Sequence, residues 1–151
     1  MKKISWPVPY WILVFNLFSC KQEIPDREKG LPHITDTKVM QYAVEGKILY
    51  ERYCANCHQK DGSGLGQLIP PLNQSDYMLE DVGRTVRIIK YGQSGPIIVN
   101  GIEYNQNMPA NPQLTNIEIA KISTYLYNIW GAKKGVIDAL KVEKFLSESG
   151  N

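Results

Sequence analysis

The chain has only three cysteines, no run of lysine or arginine, and a formal net charge of just +2. Three cysteines are too few for a miniprotein held together by disulfides, so each one needs its own explanation. The lack of a clustered basic stretch disfavours nucleic-acid binding. With 43% apolar and 21% charged residues among 151, the composition fits one folded domain and excludes wholesale disorder and a multi-span membrane protein.

The first 19 residues have the features of an export signal. Two lysines precede an apolar stretch over 4–18, which is shorter than the about 20 residues of a spanning helix and is interrupted by two prolines. It ends in Leu17-Phe18-Ser19-Cys20, which resembles the bacterial lipoprotein box. We therefore expect residues 1–19 to be a lipoprotein signal peptide and Cys20 to be acylated, anchoring the protein to a membrane on the periplasmic side. The alternatives are an ordinary secretory signal, with Cys20 uninvolved, or an uncleaved anchor.

Residues 20–38 are predicted to be the lipid anchor and a flexible tether. The segment 21–38 contains eight charged residues, two prolines and a glycine, but few large apolar residues. His33 lies in this segment and is interpreted as a solvated linker residue, with a ligand role as the minor alternative. Without residues 1–19, which hold two lysines and no acidic residue, the chain has 15 basic and 15 acidic residues and is close to neutral.

The pattern Cys54-Ala55-Asn56-Cys57-His58 is the C-x-x-C-H signature of covalent haem c attachment. Two thiols three residues apart can form thioethers with the two vinyl groups on one porphyrin edge, and the next residue then offers an imidazole to the iron. A zinc site would need further ligands, yet no Cys or His follows His58. A thioredoxin-type dithiol would need a βαβ context, and a structural disulfide would leave His58 unexplained.

The residues around this motif resemble the class I cytochromes c. Members of that family carry a glycine and an aromatic residue eight and four positions before the first haem cysteine, where this chain has Gly46 and Tyr50. They also carry a proline twelve residues after the histidine, with a leucine two residues further on, and Pro70 and Leu72 match. The resemblance implies that the first and last helices cross at Gly46. It also implies that the Pro70 carbonyl accepts a hydrogen bond from His58, and that Leu72 packs on the haem.

The family's second iron ligand is a methionine, and the chain has four. Met1 is lost with the signal, Met40 precedes the motif, and Met78 is expected in the core. Met108 is followed by Pro109 shortly before the last long helix, as in the ligand loop of short bacterial class I cytochromes, so we expect it to be the distal ligand. The glycine-rich stretch 61–66 is interpreted as a tight turn under the haem rather than a phosphate loop.

Apolar periodicity predicts the individual helices. The resemblance implies a class I cytochrome c-like, all-α fold of three to four helices wrapped around one haem, to which an extra C-terminal helix is added. Three helices are predicted, over 39–53, 84–90 and 115–130, and the third begins with a capping box. Tyr91, directly after the second helix, is expected to face inward. An extended piece without a sheet is expected over 97–102, and a further helix over 136–147.

The domain boundaries follow from these elements. The cytochrome domain is expected over 39–131 and a helical extension over 132–151, which packs on the body or, alternatively, docks to a partner. Four residues could bond to the haem propionates, namely Arg84, Tyr91, Tyr104 and Trp130. Ordinary packing or solvation explains each of them equally well, so none is assigned to the site.

Histidine–methionine ligation would fill both axial positions of the iron and leave one-electron transfer as the function. The expected protein is an electron carrier and not an enzyme, with no small-molecule substrate. Its partners would be redox proteins of a respiratory chain or a periplasmic dehydrogenase or reductase. The alternatives are a fixed haem subunit of a larger oxidoreductase and, if Met108 is not a ligand, an open-site haem enzyme or gas sensor.

Overall fold

The structure is a computed structural model that describes residues 31–131 and 133–148. The predicted signal peptide, Cys20 and the first part of the tether lie outside these residues. Within them, no helix is both long and apolar enough to cross a membrane. After a 3₁₀ turn over Leu31–His33, the elements are α1 (Thr37–Tyr53), α2 (Ala55–His58), α3 (Asp76–Glu80), α4 (Val82–Tyr91), β1 (Ile97–Val99), β2 (Ile102–Tyr104), α5 (Asn116–Ile129) and α6 (Ala139–Ser147).

The two longest helices begin at side-chain caps. The Asp36 carboxylate accepts a hydrogen bond from the backbone amide of Val39 at 2.9 Å, so α1 starts at Thr37, two residues earlier than predicted. The predicted capping box of α5 is present: the Glu118 amide donates to the Thr115 hydroxyl, and the Thr115 amide donates to the Glu118 carboxylate. Both caps satisfy amides that would otherwise lack partners at the helix starts.

Helices α1 and α5 cross in close contact at Gly46. A Cβ atom at Gly46 would overlap the backbone carbonyl of Lys121 and lie 2.9 Å from the Cβ of Tyr125. An ion pair between Lys121 and Glu45 bridges the helices beside the crossing. Glycine is therefore required here by the backbone-to-backbone approach of the two helices.

An aromatic cluster packs next to the crossing. The ring centroids of Tyr50, Tyr125 and Trp130 lie 5.1 to 5.6 Å apart, and both contacts of Trp130 are edge-to-face. The Tyr50 hydroxyl donates to the carbonyl of Gln59 at 2.5 Å, just after α2. The helix crossing thus fixes the position of the turn that carries the C-x-x-C-H motif.

Helix α4 packs on α5 and α6, and the short α3 contacts α4 and β1. The short α3 was not predicted, and it buries Met78, as expected for a core methionine. Helix α4 buries Val86 and Ile89, but Tyr91 is 58% exposed, so its predicted inward position was wrong. Tyr91 is the last residue of α4, and Gly92 at φ 81° ends the helix directly after it.

A hairpin forms where only an extended piece was predicted. Strands β1 and β2 pair antiparallel, with Val99 opposite Ile102 and Ile97 opposite Tyr104. The turn between them is Asn100-Gly101, with φ of 51° and 78°, the positive values that a two-residue hairpin turn requires. The fold is nevertheless all-α in class, because this sheet is small and the helices form the core.

The predicted C-terminal helix is present and packs on α4 and α5. It starts at Ala139 rather than at 136 because the preceding segment is extended along α5. Thr124 accepts a hydrogen bond from the amide of Ile137 at 3.0 Å and donates to its carbonyl at 3.2 Å, and Asn128 bonds both backbone groups of Gly135. Val142 is fully buried at the interface.

The buried tyrosines predict a loss of stability in alkali. Burial raises the pKa of Tyr127 to about 12 and that of Tyr125 to about 12, whereas an unfolded tyrosine titrates near 10. The folded state holds the phenol protons more tightly than the unfolded state does. The contribution of these tyrosines to the free energy of unfolding is therefore complete below pH 10 and is lost progressively between pH 10 and 12. Urea unfolding followed by circular dichroism should show this fall.

The Tyr127→Phe variant separates this effect from general alkaline damage. The Tyr127 hydroxyl donates to the Met78 carbonyl at 2.5 Å and lies 2.9 Å from the Thr85 hydroxyl. The variant should be less stable at pH 7 by about 1–3 kcal/mol, since a buried carbonyl loses its donor. Between pH 10 and 12 the variant should lose less of its free energy of unfolding than the wild type does. An equal loss in both proteins would show that Tyr127 does not titrate with unfolding.

Candidate functional site

A cavity open to solvent on one side lies between α2, α4, the hairpin and the loop before α5. Its volume, including the part open to solvent, is about 1160 Å³, which is slightly above the about 300–1,000 Å³ of common ligand sites. The four predicted ligands and attachment residues, Cys54, Cys57, His58 and Met108, all line it. The other wall residues are mainly apolar, among them Ile69, Leu72, Ile88, Ile97, Val99 and Leu126.

The two cysteines are presented by a single turn of helix. The amide of Cys54 donates to the Tyr50 carbonyl at 2.8 Å, which closes α1, and the Cys54 carbonyl accepts from the amides of Cys57 and His58 at 3.1 and 3.0 Å. The two cysteines form no disulfide with each other, and Cys54 is half-buried while Cys57 is exposed. Burial raises the pKa of Cys54 to about 12 in the unmodified chain, which favours the neutral thiol.

His58 is buried and oriented by one hydrogen bond. Its Nδ1 atom lies 3.1 Å from the carbonyl oxygen of Pro70, so Nδ1 carries the proton and donates, while Nε2 is left as the ligating nitrogen. Desolvation lowers the pKa of His58, although the bond to Pro70 opposes this shift. A neutral imidazole is the form that binds a metal. The contact implied by the family resemblance is therefore present in the geometry.

The glycine-rich turn brings Pro70 to His58. The Gly64 amide donates to the His58 carbonyl at 3.0 Å, and the Gly62 carbonyl accepts from the Leu72 amide at 2.8 Å. A Cβ at Gly64, where φ is 72°, would overlap the backbone of Ile69 and lie 2.7 Å from the Pro70 oxygen. The glycine-rich stretch therefore forms a tight turn that holds the segment of Pro70 and Leu72 against the motif. Leu72 is half-buried and lines the cavity.

Met108 reaches the same cavity from the loop that follows the hairpin. Its backbone pairs with that of Gln93: the Gln93 amide donates to the Met108 carbonyl at 3.0 Å, and the Met108 amide donates to the Gln93 carbonyl at 2.9 Å. Gly92 lets the two segments approach, because a Cβ there would lie 2.5 Å from the Met108 oxygen. Met108 is half-buried, as a side chain on the wall of an open cavity would be.

Two side chains hold the loop on the far side of Met108. The Lys90 ammonium, on α4, donates to the carbonyls of Pro112 and Leu114 at 2.9 and 2.7 Å. The side-chain amide of Asn111 donates a hydrogen bond to the backbone carbonyl of Ile89 on α4 at 3.2 Å. Sequence reasoning missed both residues, because nothing local marks a lysine or asparagine whose side chain bonds to a backbone carbonyl more than 20 residues away.

The other candidates are placed differently. Met78 also lines the cavity, but it does so as a core residue of α3 with 3% exposure. Of the residues weighed for the propionates, Tyr104 lines the cavity, while Trp130 joins the aromatic cluster and Arg84 stacks on Tyr77. His33 is exposed on the 3₁₀ turn. Unpredicted polar wall residues include Tyr77, Gln93, Gln106, Asn107 and Asn111.

The donor set and the walls fit a covalently held haem. Two thiols one helical turn apart, a neutral imidazole and a thioether share one cavity whose remaining walls are largely apolar. A porphyrin is apolar over most of its faces. In c-type sites two cysteine thiols attach its vinyl groups, and imidazole and thioether groups are donors to its iron. The fold and this site together define an all-α protein with a c-type haem centre.

Comparison with known proteins assigns the family. The sequence profile of cytochrome c matches residues 43–130. Two cytochrome c-552 proteins of Thermus thermophilus are each 33% identical to this chain over 105 residues. The match covers 67% of this chain in both cases, and 75% and 66% of the two relatives. The chain belongs to the cytochrome c family: it is an electron-carrier protein with covalently bound haem c.

Proposed function

We propose that the protein is a one-electron carrier whose haem iron is bound by His58 and Met108, serving membrane-associated respiratory redox partners. The observation that supports this most strongly is that the side chains of His58 and Met108 line one cavity and that neighbouring backbone groups hold each residue in place. Pro70 orients His58, and the backbone of Gln93 holds Met108. If both side chains bind the iron, no coordination site would remain open to small molecules.

Each part of the site has a separate task in this proposal. Bound haem supplies an iron centre that gains and loses one electron. Cys54 and Cys57 retain the group through thioethers, and the Pro70 carbonyl keeps the His58 proton on Nδ1 in both oxidation states. The thioether of Met108 favours ferrous iron over ferric iron. Apolar walls exclude water, so little needs to reorganise when the charge changes.

The membrane location is part of the same proposal. The lipoprotein-type sequence ending at Cys20 supports export and anchoring of the domain by an N-terminal lipid on the periplasmic side. The segment that joins Cys20 to α1 would act as a tether. A tether raises the effective concentration of the domain at membrane-bound partners.

A fixed subunit of a larger oxidoreductase is less well supported. In that alternative the C-terminal helix would be the docking element, but α6 buries Val142 and packs Phe145 against Gly83. Leu140, at 77% exposure, is the large apolar side chain that α6 leaves in solvent. The helix thus uses most of its apolar surface within its own domain.

Carbon monoxide tests the closed site. The dithionite-reduced, haem-loaded protein should show a six-coordinate low-spin spectrum that carbon monoxide does not change promptly. Met78→Leu, which keeps an apolar core residue, should behave like the wild type. Prompt formation of a carbonyl spectrum by the wild type would favour an open-site enzyme or gas sensor instead.

Metabolic labelling tests the anchor. Cells that express the full chain should incorporate radioactive palmitate into this protein, and Cys20→Ala should abolish the label. Absence of label in the wild type would leave an ordinary signal peptide, without affecting the haem site.

Lys90 should hold Met108 on the iron. Lys90→Met keeps the length of the side chain but removes the donor of two hydrogen bonds to the loop, so we expect cyanide to displace Met108 from ferric haem more easily. Loss of hydrogen bonds to a charged group corresponds to about a tenfold tighter cyanide affinity. Lys134→Met is the control, because Lys134 is exposed in a different loop. Equal cyanide affinity in both variants would contradict this role.

A further inference from the structure

The hairpin and the backbone pair at Met108 belong to one antiparallel arrangement. Ile97 lies opposite Tyr104 in the hairpin, and Gln93 lies opposite Met108 outside it. Both residues of the second pair are four positions further along their segments than those of the first pair, so the two pairs share one register. We call residues 93–108 the strap, and Met108 lies at its base.

One face of the strap forms a wall of the cavity. In paired strands, alternate residues face the same side. The strap residues on the cavity wall follow this alternation, apart from Asn107, and they are Gln93, Gly95, Ile97, Val99, Tyr104, Gln106, Asn107 and Met108. On the opposite face, Ile98 and Ile102 are 63% and 43% exposed. The strap therefore lies between the cavity and solvent, and a movement of the strap would carry Met108 with it.

The tip of the strap is bonded to the start of α3. The backbone amide of Asn100 donates to the Asp76 carboxylate at 2.8 Å, and the backbone amide of Asp76 donates to the side-chain carbonyl of Asn100 at 3.1 Å. The same carboxylate oxygen also accepts from the Tyr77 amide at 2.6 Å, which fixes its position on α3. We call the two bonds between Asp76 and Asn100 the latch.

The latch joins two walls of the cavity. Tyr77 and Met78 of α3 line one wall, and Val99, next to the tip of the strap, lines another. At the opposite end of the strap, Lys90 bonds to the loop that follows Met108. The strap is therefore held at its base from α4 and at its tip from α3.

We propose that Asp76 and Asn100 are positioning residues that keep Met108 on the iron by holding the strap closed over the cavity. This inference rests on the proposed ligation by Met108. Neither residue lines the cavity, so both act through the strap. Loss of exposed hydrogen bonds to a carboxylate should raise the population of the open strap about tenfold.

Cyanide binding to the ferric, haem-loaded, full-length protein reports the opening of the strap. Because cyanide binds only after Met108 leaves the iron, that departure limits the rate at saturating cyanide. Asp76→Ala removes the carboxylate of the latch and should raise this limiting rate about tenfold. Asp76→Asn keeps an oxygen that accepts from the Asn100 amide. Its rate should stay within about twofold of the wild-type rate, as should that of the control Glu103→Ala, which removes an exposed acidic side chain of β2 outside the latch.

Moving the charge across the latch tests the pair rather than either residue alone. Asn100→Asp keeps an acceptor for the Asp76 amide and a residue type that tolerates the φ of 51°, but it places two carboxylates together. The repulsion between them should raise the limiting rate about tenfold. Combining Asp76→Asn with Asn100→Asp leaves one carboxylate, so the rate should return to within about twofold of the wild-type rate.

Amide exchange and unfolding separate positioning from general stability. In the reduced protein the Met108 amide, which donates to the Gln93 carbonyl, should exchange about tenfold faster in Asp76→Ala than in the wild type. A lower urea midpoint for Asp76→Ala with an unchanged cyanide rate would overturn the proposal, as would failure of the double variant to restore that rate.

The near-infrared sulfur-to-iron band of the oxidised protein distinguishes failure of the latch from failure of the proposed ligation. If the wild type has the band and all variants bind cyanide at the wild-type rate, the latch alone is refuted. If the wild type lacks the band, the ligation by Met108 is refuted, and the role of the latch with it.

Discussion

Replacing Met108 by alanine should convert the closed haem centre into an open one. The variant should lose the weak near-infrared sulfur-to-iron band of the oxidised protein and bind carbon monoxide promptly when reduced. The reduction potential should fall, because axial ligands set haem potentials over a range of about 0.8 V and a thioether favours ferrous iron. Absorption spectroscopy and redox titration of the purified, haem-loaded variant measure all three effects.

Met78→Ala is the matched comparison for this prediction. Met78 lines the same cavity but is a core residue, so its truncation should lower stability by about 2–5 kcal/mol while leaving the near-infrared band in place. If the band survives in Met108→Ala and disappears in Met78→Ala, the distal ligand is Met78 and the assignment to the loop is wrong.

Gly46→Ala should disturb folding more than Gly83→Ala, the same methyl addition at the other glycine within a described helix. The new Cβ would overlap the Lys121 carbonyl, which is backbone of α5 and cannot rotate away, so α1 and α5 must separate. Overpacking of this kind costs about 1–3 kcal/mol or more, against about 1 kcal/mol gained from the helix propensity of alanine. Separation would also shift the turn that carries Cys54. We expect a lower unfolding midpoint and a lower yield of haem-loaded protein.

Gly83→Ala is the control within the helices. A Cβ at Gly83 meets mainly the Phe145 ring edge at 2.9 Å and Arg87 at 3.1 Å, which are ends of side chains that can move. Its change in unfolding free energy should lie within about 1 kcal/mol of zero, since propensity and displacement oppose each other. Equal midpoints for the two variants in urea unfolding would contradict a backbone-limited crossing at Gly46.

Local patterns were enough to predict the elements that carry the chemistry. The C-x-x-C-H spacing placed Cys54, Cys57 and His58 on one turn, and apolar periodicity with a capping box located α1 and α5 within two residues. The approach of Pro70 to His58 was accessible only through the family resemblance, because their contact depends on how a glycine turn folds back. The roles assigned to the site residues remain predictions.

The parts that were missed depend on contacts between distant segments. The hairpin follows from the Asn100-Gly101 turn, but residues 97–102 do not alternate between polar and apolar, so the pairing was not visible. Helix α3 has only five residues, too few for a period to be detected. Lys90 and Asn111 act on the loop of Met108 through backbone carbonyls, which carry no sequence signal.

Nuclear magnetic resonance of the reduced protein with ¹³C-labelled methionine methyl groups tests the ligation of the iron most directly. A methyl group held against the porphyrin face by its sulfur is shifted far upfield by the ring current. The proposed ligation predicts one strongly shifted methyl resonance in the wild type, and its disappearance in Met108→Leu. No shifted resonance in the wild type, or one that persists in Met108→Leu, would contradict binding of the iron by His58 and Met108.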